Sequence, residues 1–437
     1  MQYIPNIVFV LCLALASWYF SKNVGKIRRN INLGRDLDRT DRRSERWQTM
    51  LRVAFGQSKM QAKPVAGFLH FIVYAGFILI NIEVAEILID GIFGTHRVLA
   101  GPFGSVYNVA LSFFEILAVL VIIACAIFLW RRNVIKLPRF HKPEMKGWPF
   151  RDANNILFIE IALMFALLIM NAAEANFTHA EAGPFVISQF IAPIFSGLEQ
   201  AQLHFVERFF WWMHILGILA FLNYLPYSKH FHILLAFPNT WYSNLDAKGR
   251  FANMESVTNE VKMMLDPNAD PFAAPATAEG EAEAPSRFGA KDVMDLNWVN
   301  LMNAYSCTEC GRCTAECPAN LTGKKLSPRK IMMDTRDRLE EVGANIDTNG
   351  AFKEDGKHLL DDYITREELW ACTSCNACVQ ACPVNIDPLS IIVQMRQYLV
   401  MEESAASQEL NMMMTNIENN GAPWQFSQMD RANWINE

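Results

Sequence analysis

At 437 residues and a formal net charge of −6, the chain is long enough for two or three domains and lacks the basic surplus of a nucleic-acid-binding protein. Its apolar residues crowd into the first half. That unevenness excludes a uniformly soluble globule and predicts a mainly α chain, with a membrane part followed by a soluble part.

In chain order, five apolar stretches stand out: 4–20, 65–89, 105–130, 155–173 and 208–236. Each is near or above the roughly 17–25 residues of a spanning helix, so a five-helix transmembrane bundle is expected over 1–240. No basic residue precedes the first stretch and no small-residue cleavage site follows it. Lys22, Lys26, Arg28 and Arg29 come after it instead, as for a retained helix. Lys and Arg number 12 in 21–63 and 7 in 131–153, but 90–104 has only Arg97 and 174–207 has none. The positive-inside rule then puts the N-terminus outside and everything after 236 in the cytoplasm, as in a multi-pass protein of the bacterial inner membrane. A connector at 241–289 includes "NADPFAAPATAEGEAEAPS" (268–286), rich in Ala, Pro and Glu, which reads as a flexible acidic linker.

Eight of the ten cysteines follow that linker, in "CTECGRCTAECP" (Cys307, Cys310, Cys313, Cys317) and "CTSCNACVQACP" (Cys372, Cys375, Cys378, Cys382). Both runs are C-x2-C-x2-C-x3-C-P, in which three thiolates wrap one [4Fe-4S] cluster and the fourth reaches the other. A reducing compartment argues against disulfides, and zinc sites typically take cysteines in pairs. The spacing therefore assigns Cys307, Cys310, Cys313 and Cys382 to one cluster, and Cys372, Cys375, Cys378 and Cys317 to the other. The 54 residues between the runs read as helical, in "SPRKIMMDTRDRLEEV" and "ITREELW", and "IDPLSIIVQMRQYLVMEE" predicts a further amphipathic helix.

This part resembles the α-helical ferredoxin domains of heterodisulfide-reductase-C-like proteins and related Fe-S oxidoreductases, over about 290–400. The expected domain is a cytoplasmic, two-cluster α-helical ferredoxin at 290–437, tail included. Such relatives often carry a domain with paired adjacent cysteines. Here no spare cysteine remains after the linker to build one, and no Gly-rich dinucleotide fingerprint occurs. Substrate chemistry is accordingly expected on another polypeptide.

Three histidines lie in "HILGILAFLNYLPYSKHFHI" (214–233). On one continuous helix His214 and His232, 18 residues apart, share a face about 27 Å apart, and His230 falls on nearly the opposite face; Pro226 is a candidate kink. His70, six residues after Pro64, comes at the depth of His232. Two such imidazoles can supply both axial positions of a b-type haem, whereas single membrane histidines often only bond a carbonyl or line a wet cavity. Asn81, Glu83 and Glu86 are costly in lipid and are candidates for quinone protonation or for helix–helix hydrogen bonds.

The membrane half resembles the gamma subunit of respiratory nitrate reductase: five helices, "HILG", and "LPYSKHFHILLAFPNTWY" ending the fifth. That resemblance implies His214 and His232 as fifth-helix haem ligands and His70 as the inner ligand of helix two. The family's second helix-two histidine is Ile80 here, so one haem is expected. A second would need another ligand such as His96, or else His214 meets a quinone head group.

The function expected is an electron-transfer oxidoreductase subunit linking a cytoplasmic redox partner, two [4Fe-4S] clusters, haem b and menaquinone or ubiquinone. With the clusters on the cytoplasmic side, electrons are expected to run from the partner to quinone. An electron-transfer flavoprotein, a heterodisulfide-reductase-B-like protein and a larger respiratory assembly are the candidate partners. The competing expectations are a membrane-tethered Fe-S sensor or assembly module without haem, and a zinc-bearing docking platform.

Overall fold

The computed structural model describes residues 3–179, 182–251, 253–267 and 287–436. The linker at 268–286 lies outside the described residues. Among the described residues, five helices are long and apolar enough to cross a membrane: α1 (Ile4–Ile31), α3 (Pro64–Phe93), α4 (Ala100–Asn133), α5 (Trp148–Glu174) and α6 (Gln200–Tyr224). Between the first two stands α2 (Arg43–Met50). The first four of the five run past the expected bounds at one or both ends, because apolar runs mark the span but not the polar turns that cap it. Glycine ends α3: Gly94 takes a left-handed conformation (φ 74°) and donates its N–H to Asp90 O at 2.8 Å. At the start of α6, Glu199 and Gln202 form a capping box.

The expected fifth span of 208–236 is not one helix. α6 stops at Tyr224, a 3₁₀ turn covers Leu225–Tyr227, Ser228 is extended (φ −122°, ψ 149°), and α7 begins at His232 and runs to Trp241. Pro226 cannot donate to the helix ladder and its ring crowds the preceding turn. Asp152 on α5 holds the break open, accepting from Tyr224 Oη (2.5 Å), Ser228 Oγ (2.7 Å) and Lys229 N (3.1 Å). His214 and His232 therefore share no helix face. His230 is not turned away either: its ring packs 5.3 Å from Phe221 and 5.4 Å from His232.

After α8 (Glu255–Leu265), the cysteine-bearing half is built from short helices around two longer ones. These are α9 (Trp298–Ser306), α10 (Arg312–Ala315), α11 (Pro318–Leu321), α12 (Pro328–Asn349), α13 (Leu359–Asp362), α14 (Arg366–Trp370), α15 (Ala377–Ala381), α16 (Pro388–Met401) and α17 (Gln408–Asn420). Proline at the first position and a Ser327 cap accepting from Lys330 N start α12; Thr365 and Glu368 form the capping box of α14. The predicted helices of the insert and of the segment after the second cysteine run are thus present.

The two halves share one apolar core, in which Ile27, Ile31 and Phe231 join Leu301, Tyr305 and Leu339. Polar contacts fix the seam. Asn30 Nδ2 donates to Tyr305 Oη (3.0 Å), Arg29 Nη2 to Gly343 O (2.9 Å), and Arg35 pairs through its backbone with Leu296 O (2.8 Å) and Trp298 N (3.0 Å). Gly34 leaves no room there: a Cβ would fall 2.6 Å from Trp298 N and 2.8 Å from Asn297 C, both backbone atoms. Gly34→Ala should therefore destabilise the docked state by about 1–3 kcal/mol, read as a lower thermal midpoint in detergent.

Candidate metal centres

Both cysteine runs fold alike. The residue two after the first cysteine is left-handed in each run (Glu309, φ 53°; Ser374, φ 55°), and so is the residue after the second cysteine (Gly311, φ 73°; Asn376, φ 61°). These turns wrap the first two thiols of each run around a common point, and the third sits on the short helix that follows, Cys313 on α10 and Cys378 on α15. A left-handed non-glycine residue costs roughly 1–2 kcal/mol, so Glu309 in the first loop and Ser374 and Asn376 in the second mark a conformation held for its product. At Gly311 a Cβ would fall 2.6 Å from Arg329 Nη1. Gly311→Ala is expected to lower iron content and thermal stability together, measurable by iron assay and unfolding midpoint.

Cys307, Cys310, Cys313 and Cys382 line one cavity, with Arg312 and Arg329 also on its wall. The thiol brought to this cavity from the other run is that of Cys382. In the second group, Cys317 and Cys372 lie close enough to Cys378 to repel its thiolate. Four soft thiols around one void fit an iron–sulfur cluster. Burial pushes the Cys307 thiol up to about 12 and Cys382 up to about 11, so these sulfurs need iron to become thiolates. Backbone N–H groups of Ser374 and Ile386 donate to the sulfurs of Cys372 (3.4 Å) and Cys382 (3.3 Å). Cys375 is the exposed thiol of its group. Arg329, fully buried, would offset the charge of a cluster in the first cavity; Glu144 (2.7 Å) and Arg139 O (2.5 Å) hold it there.

His70 on α3 and His232 at the start of α7 face each other with ring centres 6.4 Å apart and planes inclined by 47°. Two imidazoles bound to one metal through bonds of about 2 Å have ring centres roughly 6 Å apart. Each ring keeps Nδ1 occupied, His70 with Gln57 Oε1 (3.0 Å) and His232 with Lys229 O (3.1 Å). Nδ1–H on an oxygen leaves Nε2 as the lone-pair nitrogen, the usual support of a metal-ligating histidine. Through Nε2 of each ring, the pair could hold a haem iron.

His214 is buried with Nδ1 on Leu163 O (2.9 Å). Among the described residues, ring contacts join His70, His232 and His230 but not His214. His96 is not set opposite it: its Nε2 lies 3.9 Å from Glu207, seven residues before His214 and so roughly 10 Å further along α6. Asn81 is exposed and donates to Phe77 O of its own helix. Glu83 and Glu86 instead enter a buried network. Arg97 Nη1 donates to Glu83 (3.1 Å) and Nη2 to Glu174 (2.9 Å) and Asn171 (2.7 Å); Tyr107 donates to Glu86 (2.7 Å), and Asn171 to Glu115 (3.2 Å).

Sequence reasoning missed Gln57, Arg312, Arg329, Lys229 and Glu309, whose roles come from distant segments meeting. It also passed over Glu115, Asn171 and Glu174, for which a signal existed: polar residues inside or at the end of apolar runs.

Residues 306–386 match the family described as a 4Fe-4S dicluster domain. The chain is 28% identical to the probable iron-sulfur-binding oxidoreductase FadF of Bacillus subtilis, over 99% of this chain and 61% of that protein. The chain is related to iron–sulfur oxidoreductases. It is also 26% identical to the EtfAB:quinone oxidoreductase of Syntrophomonas wolfei, over 92% of this chain and 55% of that protein. Over 33% of this chain and 36% of the relative, it is 28% identical to a component of the dihydromethanophenazine:CoB–CoM heterodisulfide reductase of Methanosarcina mazei. The chain thus spans little more than half the length of the first two relatives. No solved structure matches it.

Proposed function

We propose that this chain passes electrons between a redox partner on the cytoplasmic side and the quinone pool through two [4Fe-4S] clusters and one b-type haem, in the bacterial inner membrane with the N-terminus outside. The observation that carries the haem in this reading is the facing of His70 and His232 at 6.4 Å, each with Nδ1 on an oxygen. When bound, the clusters and haem supply one-electron carriers; the residues described here hold, orient and shield them. Cys307, Cys310, Cys313 and Cys382 would hold the haem-facing cluster, and Cys372, Cys375, Cys378 and Cys317 the cluster nearer the partner.

Two features support that order. Arg312, on the wall of the first cysteine cavity, donates to Lys59 O (3.2 Å) and Met60 Sδ (3.4 Å) in the turn just before α3, the helix of His70. Cys375, in the other group, is exposed. The direction, from partner to clusters to haem to quinone, draws support from the quinone oxidoreductase relative. An electron-transfer flavoprotein is the partner most in keeping with that relative's name. His214 and Glu83 are proposed to flank the quinone, Glu83 lying one helical turn beyond Ile80, the position where the nitrate reductase gamma family has its second helix-two ligand.

Purified protein should show a bis-histidine haem spectrum in one-to-one stoichiometry with the chain, alongside eight non-haem irons. Iron and sulfide without haem would leave the tethered sensor as the better reading. Gln57→Leu is expected to weaken haem retention by roughly 10–100-fold by freeing the His70 ring, as measured by haem loss to apomyoglobin.

A further inference from the structure

Between the first cysteine group and the paired histidines lies a buried ionic bridge that neither site requires for ligation. Glu309 stands between Cys307 and Cys310 and is 3% exposed. Its carboxylate takes Lys229 Nζ on one oxygen and Arg336 Nη1 (2.8 Å) on the other. Lys229 in turn offers its carbonyl to His232 Nδ1 (3.1 Å). One ion pair thus spans from the backbone that wraps one candidate cluster to the residue that orients one candidate haem ligand.

We propose that Lys229 and Glu309 act as positioning residues that set the reduction potentials of the haem-facing cluster and the haem through their fixed charges. This rests on the function proposed above. The shared apolar core already docks the two halves, and a buried ion pair is poor value as glue, because desolvating both charges offsets most of their attraction. What the pair provides is charge of known sign beside each redox site. Such charges tune cluster and haem potentials, most effectively where water is excluded. Glu309 is the buried anion facing two cations, Lys229 on one oxygen and Arg336 on the other. Other charged groups around the bridge include Asp152 and Arg132 from the membrane half, and Arg329, Asp337 and Glu340 from α12. They stay in place in every variant below.

Potentiometric titration, followed by haem absorbance and cluster EPR, distinguishes tuning from simple support. Lys229→Gln should lower the haem and haem-facing cluster potentials, because a positive charge is lost; Glu309→Gln should raise both. The potential of the cluster held by Cys372, Cys375, Cys378 and Cys317 should stay at the wild-type value in each. The exchange variant, Lys229→Glu with Glu309→Lys, restores an ion pair. If the pair tunes, this variant keeps its cofactors but has a lower haem potential and a higher haem-facing cluster potential. Wild-type potentials in the exchange variant, or in both single variants with cofactors retained, would overturn the proposal. If a single variant loses its cofactors, the exchange variant decides. Absence of haem from the wild-type protein would instead refute the proposed function.

Discussion

Replacing His70 or His232 by alanine should each abolish the same low-spin haem spectrum, taking bound haem from one per chain to near zero. The two rings face each other across 6.4 Å from different helices, and the third ring beside them is that of His230, 5.4 Å from His232. Loss of one ligand would leave the iron held from one side, which weakens both the spectrum and retention. His230→Ala is the informative control. Its ring touches His232 and Phe221, so its removal should keep the haem and perturb the spectrum slightly. Pyridine haemochrome assay and low-temperature EPR measure both effects. Equal haem in wild type and His232→Ala would refute the assignment.

The second large effect concerns the cysteines. Cys382→Ser should destroy the cluster held by Cys307, Cys310 and Cys313, although Cys382 is 69 positions beyond Cys313, and Cys317→Ser should destroy the other. The four thiols of the first group wall one cavity, and burial leaves Cys307 and Cys382 poorly able to ionise without iron. A serine hydroxyl is a harder, far less acidic donor, so about half of the iron and sulfide should be lost with a single EPR signal. Loss of the signal belonging to Cys372, Cys375 and Cys378 in the Cys382→Ser variant would show that each run closes its own cluster.

Much of this was legible in the sequence because the signals were local. Apolar runs of spanning length and a repeated cysteine spacing are each contained in a few dozen residues; the five helices follow from the first, and the second is what grouped Cys382 with the earlier run, whose cavity it lines. The pairing of His70 with His232 was also legible, through depth relative to Pro64 and the end of helix five. Registry past Pro226 was not. A periodicity argument assumes an unbroken helix, and here Asp152, 74 residues before Pro226, anchors the break and so decides where His230 and His232 point. The same holds for Glu309: its partners Lys229 and Arg336 come from opposite sides of the linker, and only the folded chain brings them together. Asn81 shows why a polar residue in an apolar run is an ambiguous signal, since it can bond its own helix, as it does to Phe77 O.

The most direct test of electron transfer from clusters to quinone is rapid mixing of dithionite-reduced protein with a short-chain menaquinone analogue, following cluster and haem absorbance together. Wild-type protein should reoxidise both its haem and its clusters within the turnover time, and His232→Ala should leave the clusters reduced. Cluster reoxidation by the quinone at the wild-type rate in His232→Ala would contradict the account.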